Sequence, residues 1–159
     1  MSRDVLAERE VIDRIVDGLT LLEVFAQTVE AHRDEKALSW KSVEGWRSLT
    51  WGEYRDQVRA VTLGLRVIGL QPREFGVIMA RNRPEHLIAD LGILHAHGTP
   101  VSLYNTLAPE QIQYITSHCE AAVAFVEDHA FSGEVSWRAQ TAAKASPHHR
   151  NGALDRRRR

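Results

Sequence analysis

Phe75-Gly76-Val77-Ile78-Met79-Ala80, then Pro84-Glu85-His86-Leu87-Ile88, and after Gly98 the run Thr99-Pro100-Val101-Ser102-Leu103-Tyr104, form the stretch that decides the fold. The first run is apolar and of strand length. Pro84 suits the first turn of a helix, where its missing N–H has no partner to lose. Leu87, Ile88, Leu91, Leu94 and His95 then recur at helical spacing until Gly98 closes the segment. Thr99 to Tyr104 is again strand-like, Pro109 opens another helix through Ile112, Ile115 and Cys119, and Ala122 to Val126 reads as one more buried strand. Strand, helix, strand, helix, strand with short joints predicts an α/β fold, a parallel sheet wound by right-handed crossovers with helices covering its faces. No repeat of fixed period is present, which excludes a solenoid.

Upstream of the sheet, Thr50 and Glu53 make a capping box for a helix whose face is Tyr54, Val58, Val61, Leu65 and Ile68. Gly69 supplies a left-handed stop and Pro72 prevents resumption. Before it, Lys36 to Trp40 and Trp46 to Thr50 favour extended structure, with Lys41 to Gly45 turning the chain back as a hairpin. Thr20 and Glu23 form a second capping box, leading a helix to about Ala31 through Leu22, Phe25, Val29 and His32. Val11, Ile12, Ile15, Val16 and Leu19 predict a shorter leading helix.

With 159 residues, 43% of them hydrophobic, the chain suffices for one core and not for a two-domain enzyme. The single cysteine, Cys119, excludes a disulfide framework and has no Cys partner at zinc-ligand spacing, so it is expected to be a buried thiol in a reducing compartment. Met1 to Glu10 carry mixed charges without a signal-like apolar run, and no later run reaches membrane-spanning length, so a cytoplasmic location is expected. The net charge of −1 conceals an asymmetry: residues 132–159 hold seven Lys/Arg against two acids, a surplus of +5, leaving −6 elsewhere. Apolar periodicity stops after Phe131. The organisation expected is a helical lead-in over 1–19, a folded unit over 20–131 and a disordered basic tail over 132–159.

The chemistry-bearing motifs reduce to structure. Gly64 and Gly69 have the spacing of phosphate-loop glycines, but Leu70 and Gln71 stand where Lys and Ser/Thr are required, and Gly64 falls inside a helix, where packing room for a neighbouring strand is the expected role. His95 and His97, two apart on a helix, diverge instead of converging on a metal. One is expected to pack and the other to serve the helix end beside Gly98. His118 and Cys119 point different ways and lack a third group. Glu85 with His86, and Glu53 with Asp56, are acid-bearing helix starts that the macrodipole explains. Arg156 to Arg159 lack an aromatic platform, so no specific nucleic acid is expected as a partner.

Several stretches together resemble the opening of the AMP-forming acyl-CoA synthetases, the adenylate-forming superfamily. Leu49-Thr50-Trp51-Gly52-Glu53-Tyr54 is similar to that family's Leu-Thr-Tyr-x-Glu-Leu stretch, and Arg81-Asn82-Arg83-Pro84-Glu85-His86 to its Asn-x-Pro-Glu turn. Leu94 to Ser102 resembles its helix-ending Gly and small-Pro strand, with His97-Gly98 where the family has Ala-Gly. Tyr104-Asn105-Thr106-Leu107 and Pro109-Glu110-Gln111 are similar to the branch acting on long-chain fatty acids.

The resemblance implies an enzyme that attacks the ATP α-phosphate with a fatty-acid carboxylate and then displaces AMP with the CoA thiol. ATP, Mg and CoA are cofactors of the full-length family, and fatty acid, ATP and CoA its partners. Its Ser/Thr/Gly-rich loop ending in Pro-Lys-Gly, its later ribose- and magnesium-holding acids and its C-terminal Lys do not occur in these 159 residues. No catalytic, cofactor-binding or metal residue is therefore assigned, and the chain alone is expected to be inactive. The likeness is read as ending at Phe131, and the Arg-, Ala- and His-rich remainder fits an out-of-frame or truncated product. Self-association through exposed apolar faces follows from a missing half. The rivals are a free-standing flavodoxin-like nucleotide-binding module, with ligand near Arg81-Asn82 or Tyr104-Asn105, and an interaction protein using the basic tail.

Overall fold

The computed structural model describes residues 5–127 and 138–141. In chain order these are α1 (Val5–Val16), α2 (Leu21–His32), β1 (Lys36–Ser42), β2 (Gly45–Thr50), α3 (Trp51–Val67), β3 (Phe75–Met79), α4 (Pro84–His95), β4 (Thr99–Leu103), α5 (Pro109–His118), β5 (Val123–Val126) and β6 (Arg138–Thr141). The α/β reading of the sequence holds. Strand β3 lies between β4 and β5 and pairs in parallel with both, Phe75 opposite Thr99 and Gly76 opposite Val123. The first crossover carries the chain from β3 to β4 on one side, and the second passes from β4 back beyond β3 to β5 on the other, the wound arrangement of an α/β sheet.

Both predicted capping boxes form. Thr20 accepts from the Glu23 N–H while the Glu23 carboxylate accepts from the Thr20 N–H, and Thr50 with Glu53 repeats the geometry. Gly69 takes the left-handed conformation, φ 91°, and the Leu70 N–H donates to the Leu65 carbonyl to end α3.

Helix α4 belongs to two cores at once. Its Ala89 and Ile93 join Leu65, Leu70, Ile78, Val123 and Phe125 over the sheet, while its Ile88 and Leu91 join Phe25, Val29, Tyr54 and Val58 between the helices. Gly92 makes the α3–α4 approach possible: a Cβ there would lie 2.5 Å from Val61 Cγ1, and Thr62 Oγ1 donates to the Gly92 carbonyl at 3.3 Å. Ile68 lies off the buried face of α3 and is exposed.

Several expectations need correction. The hairpin turn is tighter than Lys41 to Gly45: Ser42 pairs with Gly45, leaving Val43 and Glu44 at the tip, where Ser42 Oγ accepts from the Glu44 N–H. A Cβ on Gly64 would meet nothing within 4 Å, so this glycine provides no packing room for a strand, and the glycines under close contact are Gly52, Gly76, Gly92 and Gly98. Cys119 is half-buried at the end of α5, its thiol near the Thr116 carbonyl, because the apolar face of that helix is only partly covered. Strand β6 pairs antiparallel with β5, Val126 opposite Arg138, inside the segment read as disordered. The outer side of β5 offers a row of backbone donors and acceptors that a strand of mixed composition can satisfy, which explains the difference for these four residues. The rest of 132–159, including Arg156 to Arg159, lies outside the described residues.

Candidate functional site

In a wound sheet the crevice for a ligand lies beyond the carboxyl ends of the strands, where the crossovers diverge, here at the ends of β3 and β5. The side chains at that place come from the turn after β3, the start of α4 and the residue after β5. The Arg81 N–H donates to Glu127 Oε2 at 3.1 Å. Arg83 Nη1 donates to Glu127 Oε1 at 3.0 Å, and its Nε and Nη2 grip both oxygens of Glu85 at 2.7 and 3.1 Å. Arg83 and Glu127 keep only 17% and 15% of their side-chain surface exposed. Burial acts to raise the Glu127 carboxyl, but the Arg81 N–H and the two arginine charges outweigh it and hold the group below its ordinary value. Arg83 is raised in turn, chiefly by its bonds to Glu85.

Two arginines and two carboxylates thus meet at the switch point, and the guanidinium of Arg83 is committed in a bidentate clamp plus a third bond. An anion entering there would meet Glu85 and Glu127 as well as the cations. The cluster ties the ends of β3 and β5 to the start of α4; its geometry is that of a latch, not of a phosphate cradle built from backbone donors. Beside it runs a cleft of about 550 Å³ walled by Trp40 and Trp46 of the hairpin together with Asn82 and Arg83.

A second polar contact lies further along the same edge. His86 Nε2 and Ser102 Oγ are 3.0 Å apart, joining α4 to β4. Asp90, one helical turn on, has its carboxyl raised by burial, a rise that His86 opposes. A nucleophile–base pair needs a third group orienting the base and donors for a developing oxyanion. Asp90 makes no hydrogen bond to His86 among the described residues, so the pair is read as a strand-to-helix tie.

The remaining residues weighed in the sequence do not converge. His95 packs edge-on against Phe25 with ring centroids 6.0 Å apart, and its imidazole is pushed below the ordinary value by burial and then by His97. His97 adopts the left-handed conformation itself, φ 65°, and its carbonyl accepts from the Arg73 N–H; Gly98 is needed instead because a Cβ would crowd Ile93 and the Glu74 carbonyl. His118 stacks on Tyr114, away from the Cys119 thiol, which faces Thr116. Tyr104 is exposed beyond β4. Among the described residues no group of three or more His, Cys, Asp or Glu could hold a metal ion, and no helix is long and apolar enough to cross a membrane. The Arg83–Glu127 contact escaped the sequence reading; its signal was the position of both residues just past the ends of neighbouring parallel strands.

Comparison with known proteins fits this architecture. The family described as AMP-binding enzyme matches residues 25–157, past Phe131, where the sequence reading ends the likeness. A long-chain-fatty-acid–CoA ligase of Drosophila melanogaster, heimdall, is 30% identical over 127 residues, covering 77% of this chain and 19% of that protein. An uncharacterized protein of Mycobacterium tuberculosis is 32% identical over 124 residues, covering 78% of this chain and 70% of that one. The crystal structure of a fatty acid AMP ligase from Legionella pneumophila superposes with a TM-score of 0.62 at 16% identity, over 68% of this chain and 19% of that chain. The chain therefore spans 19% of the length of each of these two ligases.

Proposed function

The chain belongs to the AMP-binding enzyme family, and from that premise we propose that it supplies scaffold from the amino-terminal domain of a long-chain fatty acid–CoA ligase. In that reading the complete enzyme joins a fatty acid to CoA through an acyl-adenylate, with ATP and Mg as cofactors, in the cytoplasm. These 159 residues alone do not adenylate. Stabilising the transferring phosphates requires positioned cations and backbone donors, and the family's phosphate loop has no counterpart in this sequence.

The observation that carries the reading is the engagement of Arg83 by Glu85 and Glu127 at the switch point. It supports a structural role for the place where a free-standing nucleotide-binding module would hold its ligand. The test is ATP–pyrophosphate exchange with a long-chain fatty acid, alongside calorimetric titration of ATP into the purified chain. Exchange at the no-enzyme background and no measurable nucleotide binding are expected. Exchange above background, or saturable ATP binding with exchange absent, would reject the scaffold reading, the second in favour of a binding module.

A further inference from the structure

A groove of about 680 Å³ opens between α2 and α3, with His95 of α4 in its wall. This volume lies within the roughly 300–1,000 Å³ of small-molecule sites. Arg83 precedes the 12 residues of α4 and His95 ends them, so His95 stands about 18 Å from the latch. The groove is thus separate from the site on which the ligase reading rests. Its floor is made by the buried side chains of Phe25, Val29 and Val58, and Ala26 and the half-exposed Leu63 carry the apolar surface up to the rim.

The rim is cationic. Arg55, Arg59 and Arg66 recur along one stripe of α3, and Arg33, which ends α2, faces the groove from the other helix. Arg55 is engaged by Asp56 at 2.6 Å, whereas Arg33, Arg59 and Arg66 form no ion pair among the described residues. The Asp56 carboxyl is held below its ordinary value first by its bond to Arg55 and then, against desolvation, by the charges of Arg55, Arg33 and Arg59, so these three guanidiniums lie within electrostatic reach of one another. Arg66 sits two helical turns, about 10 Å, along α3 from Arg59. The carboxylates that offset the four arginines are Glu30 in the lining and Asp56 beside it, which leaves a surplus of two positive charges over an apolar floor.

We propose that this groove binds a single-chain aliphatic phosphate monoester, with the alkyl chain along Phe25, Val29 and Val58 and the dianionic head between Arg33 and Arg59. The head is chosen by charge. A neutral alcohol would leave both surplus charges uncompensated and a carboxylate would leave one, while a phosphate monoester matches them and offers three oxygens to the planar forks of arginine. The chain is chosen by the floor, where apolar surface beneath the rim gains from being removed from water. Arginine stems add to that surface, since their methylenes lie along apolar walls while the guanidiniums stay in solvent. Because the floor lies below the rim, a lipid held in a bilayer cannot reach it, so the ligand is a free, monomeric molecule.

Calorimetric titration of decyl phosphate, decanoate, decanol and inorganic phosphate into the full chain tests this, at pH 8, where the phosphate monoester carries its second charge, and below micelle-forming concentrations. Decyl phosphate is expected to saturate at one per chain and to bind about tenfold tighter than decanoate, with no saturable heat from decanol or inorganic phosphate. Arg33→Gln/Arg59→Gln is expected to weaken decyl phosphate by about tenfold or more and to erase its advantage over decanoate. Leu63→Glu, which puts a charge on the apolar wall, is expected to weaken both anions. All three positions are exposed, so circular dichroism and Tm should be unchanged. Arg9→Gln/Arg47→Gln removes the same charge outside the groove and should leave the Kd as it was. The proposal is overturned by the absence of saturable binding, by decanoate or inorganic phosphate binding as tightly as decyl phosphate, or by an equal loss in the Arg9/Arg47 variant. Cosedimentation with phosphatidic acid vesicles without binding of monomeric decyl phosphate would overturn it in favour of a membrane surface.

Discussion

Arg83 reaches Glu127 across 3.0 Å and so fastens the start of α4 to the end of β5, residues 44 apart in the chain. Both are largely buried, so removing Arg83 leaves Glu127 with Arg81 alone and deprives Glu85 of its bidentate partner. Arg83→Met is expected to cost about 2 kcal/mol, less than the roughly 3–5 kcal/mol of a fully enclosed pair because some solvent contact remains. Urea denaturation midpoints check this, and a midpoint unchanged in Arg83→Met would remove the latch from the account of the fold.

The same carboxylate sets an acid limit. With its folded-state value depressed, Glu127 contributes stability that is complete above the ordinary carboxylate range near pH 4.5 and is lost as pH falls through the depressed value. Asp90 acts with the opposite sign: burial raises its value, so ionisation at neutral pH opposes the fold and protonation relieves it. Asp90→Asn is expected to raise Tm at pH 7, with the gain shrinking as pH falls through the raised value. Glu127→Gln should lower Tm at pH 7 and flatten the acid limb. Thermal melts from pH 3 to 7 distinguish the two.

Gly92 and Gly64 should respond to alanine with opposite signs. A Cβ on Gly92 would stand 2.5 Å from Val61 Cγ1, and the stiff β-branched side chain cannot swing clear, so Gly92→Ala is expected to cost about 1–3 kcal/mol. Adding Val61→Ala should return part of that loss. Gly64 faces open space within α3, so Gly64→Ala should gain about 0.5–1 kcal/mol from the helix interior alone. Chemical denaturation of the three variants reads both effects.

Tyr54 lies in the inter-helix core, and burial, then the charge of Asp90, push its phenol up to about 12. Ultraviolet titration of phenolate absorbance is expected to show a late step near that pH which Tyr54→Phe abolishes. If the step survives the substitution, the ring is not where the structure puts it.

The parts of this fold that were legible in the sequence are those with local causes. Thr20 with Glu23 and Thr50 with Glu53 announce helix starts through short-range hydrogen bonds, Pro84 and Pro109 through a fixed φ, and the strand–helix alternation through spacing. What was hidden depends on distant partners. Nothing around Gly64 and Gly92 in the sequence tells which one touches another helix, since both are single glycines in helical runs. Arg83 and Glu127 likewise become neighbours only after β5 has crossed to the far side of β3. β6 was missed because Arg138 to Thr141 show no apolar alternation and are recruited by the unfilled side of β5.

Strand β4 is the outermost strand of the described sheet on its side, and Pro100 sits in it. The Thr99 N–H turns inward to the Glu74 carbonyl, so by strand alternation the nitrogen of Pro100 turns outward. A rim that would otherwise invite another polypeptide to zip on has one of its rungs filed off, at no cost to the ladder within.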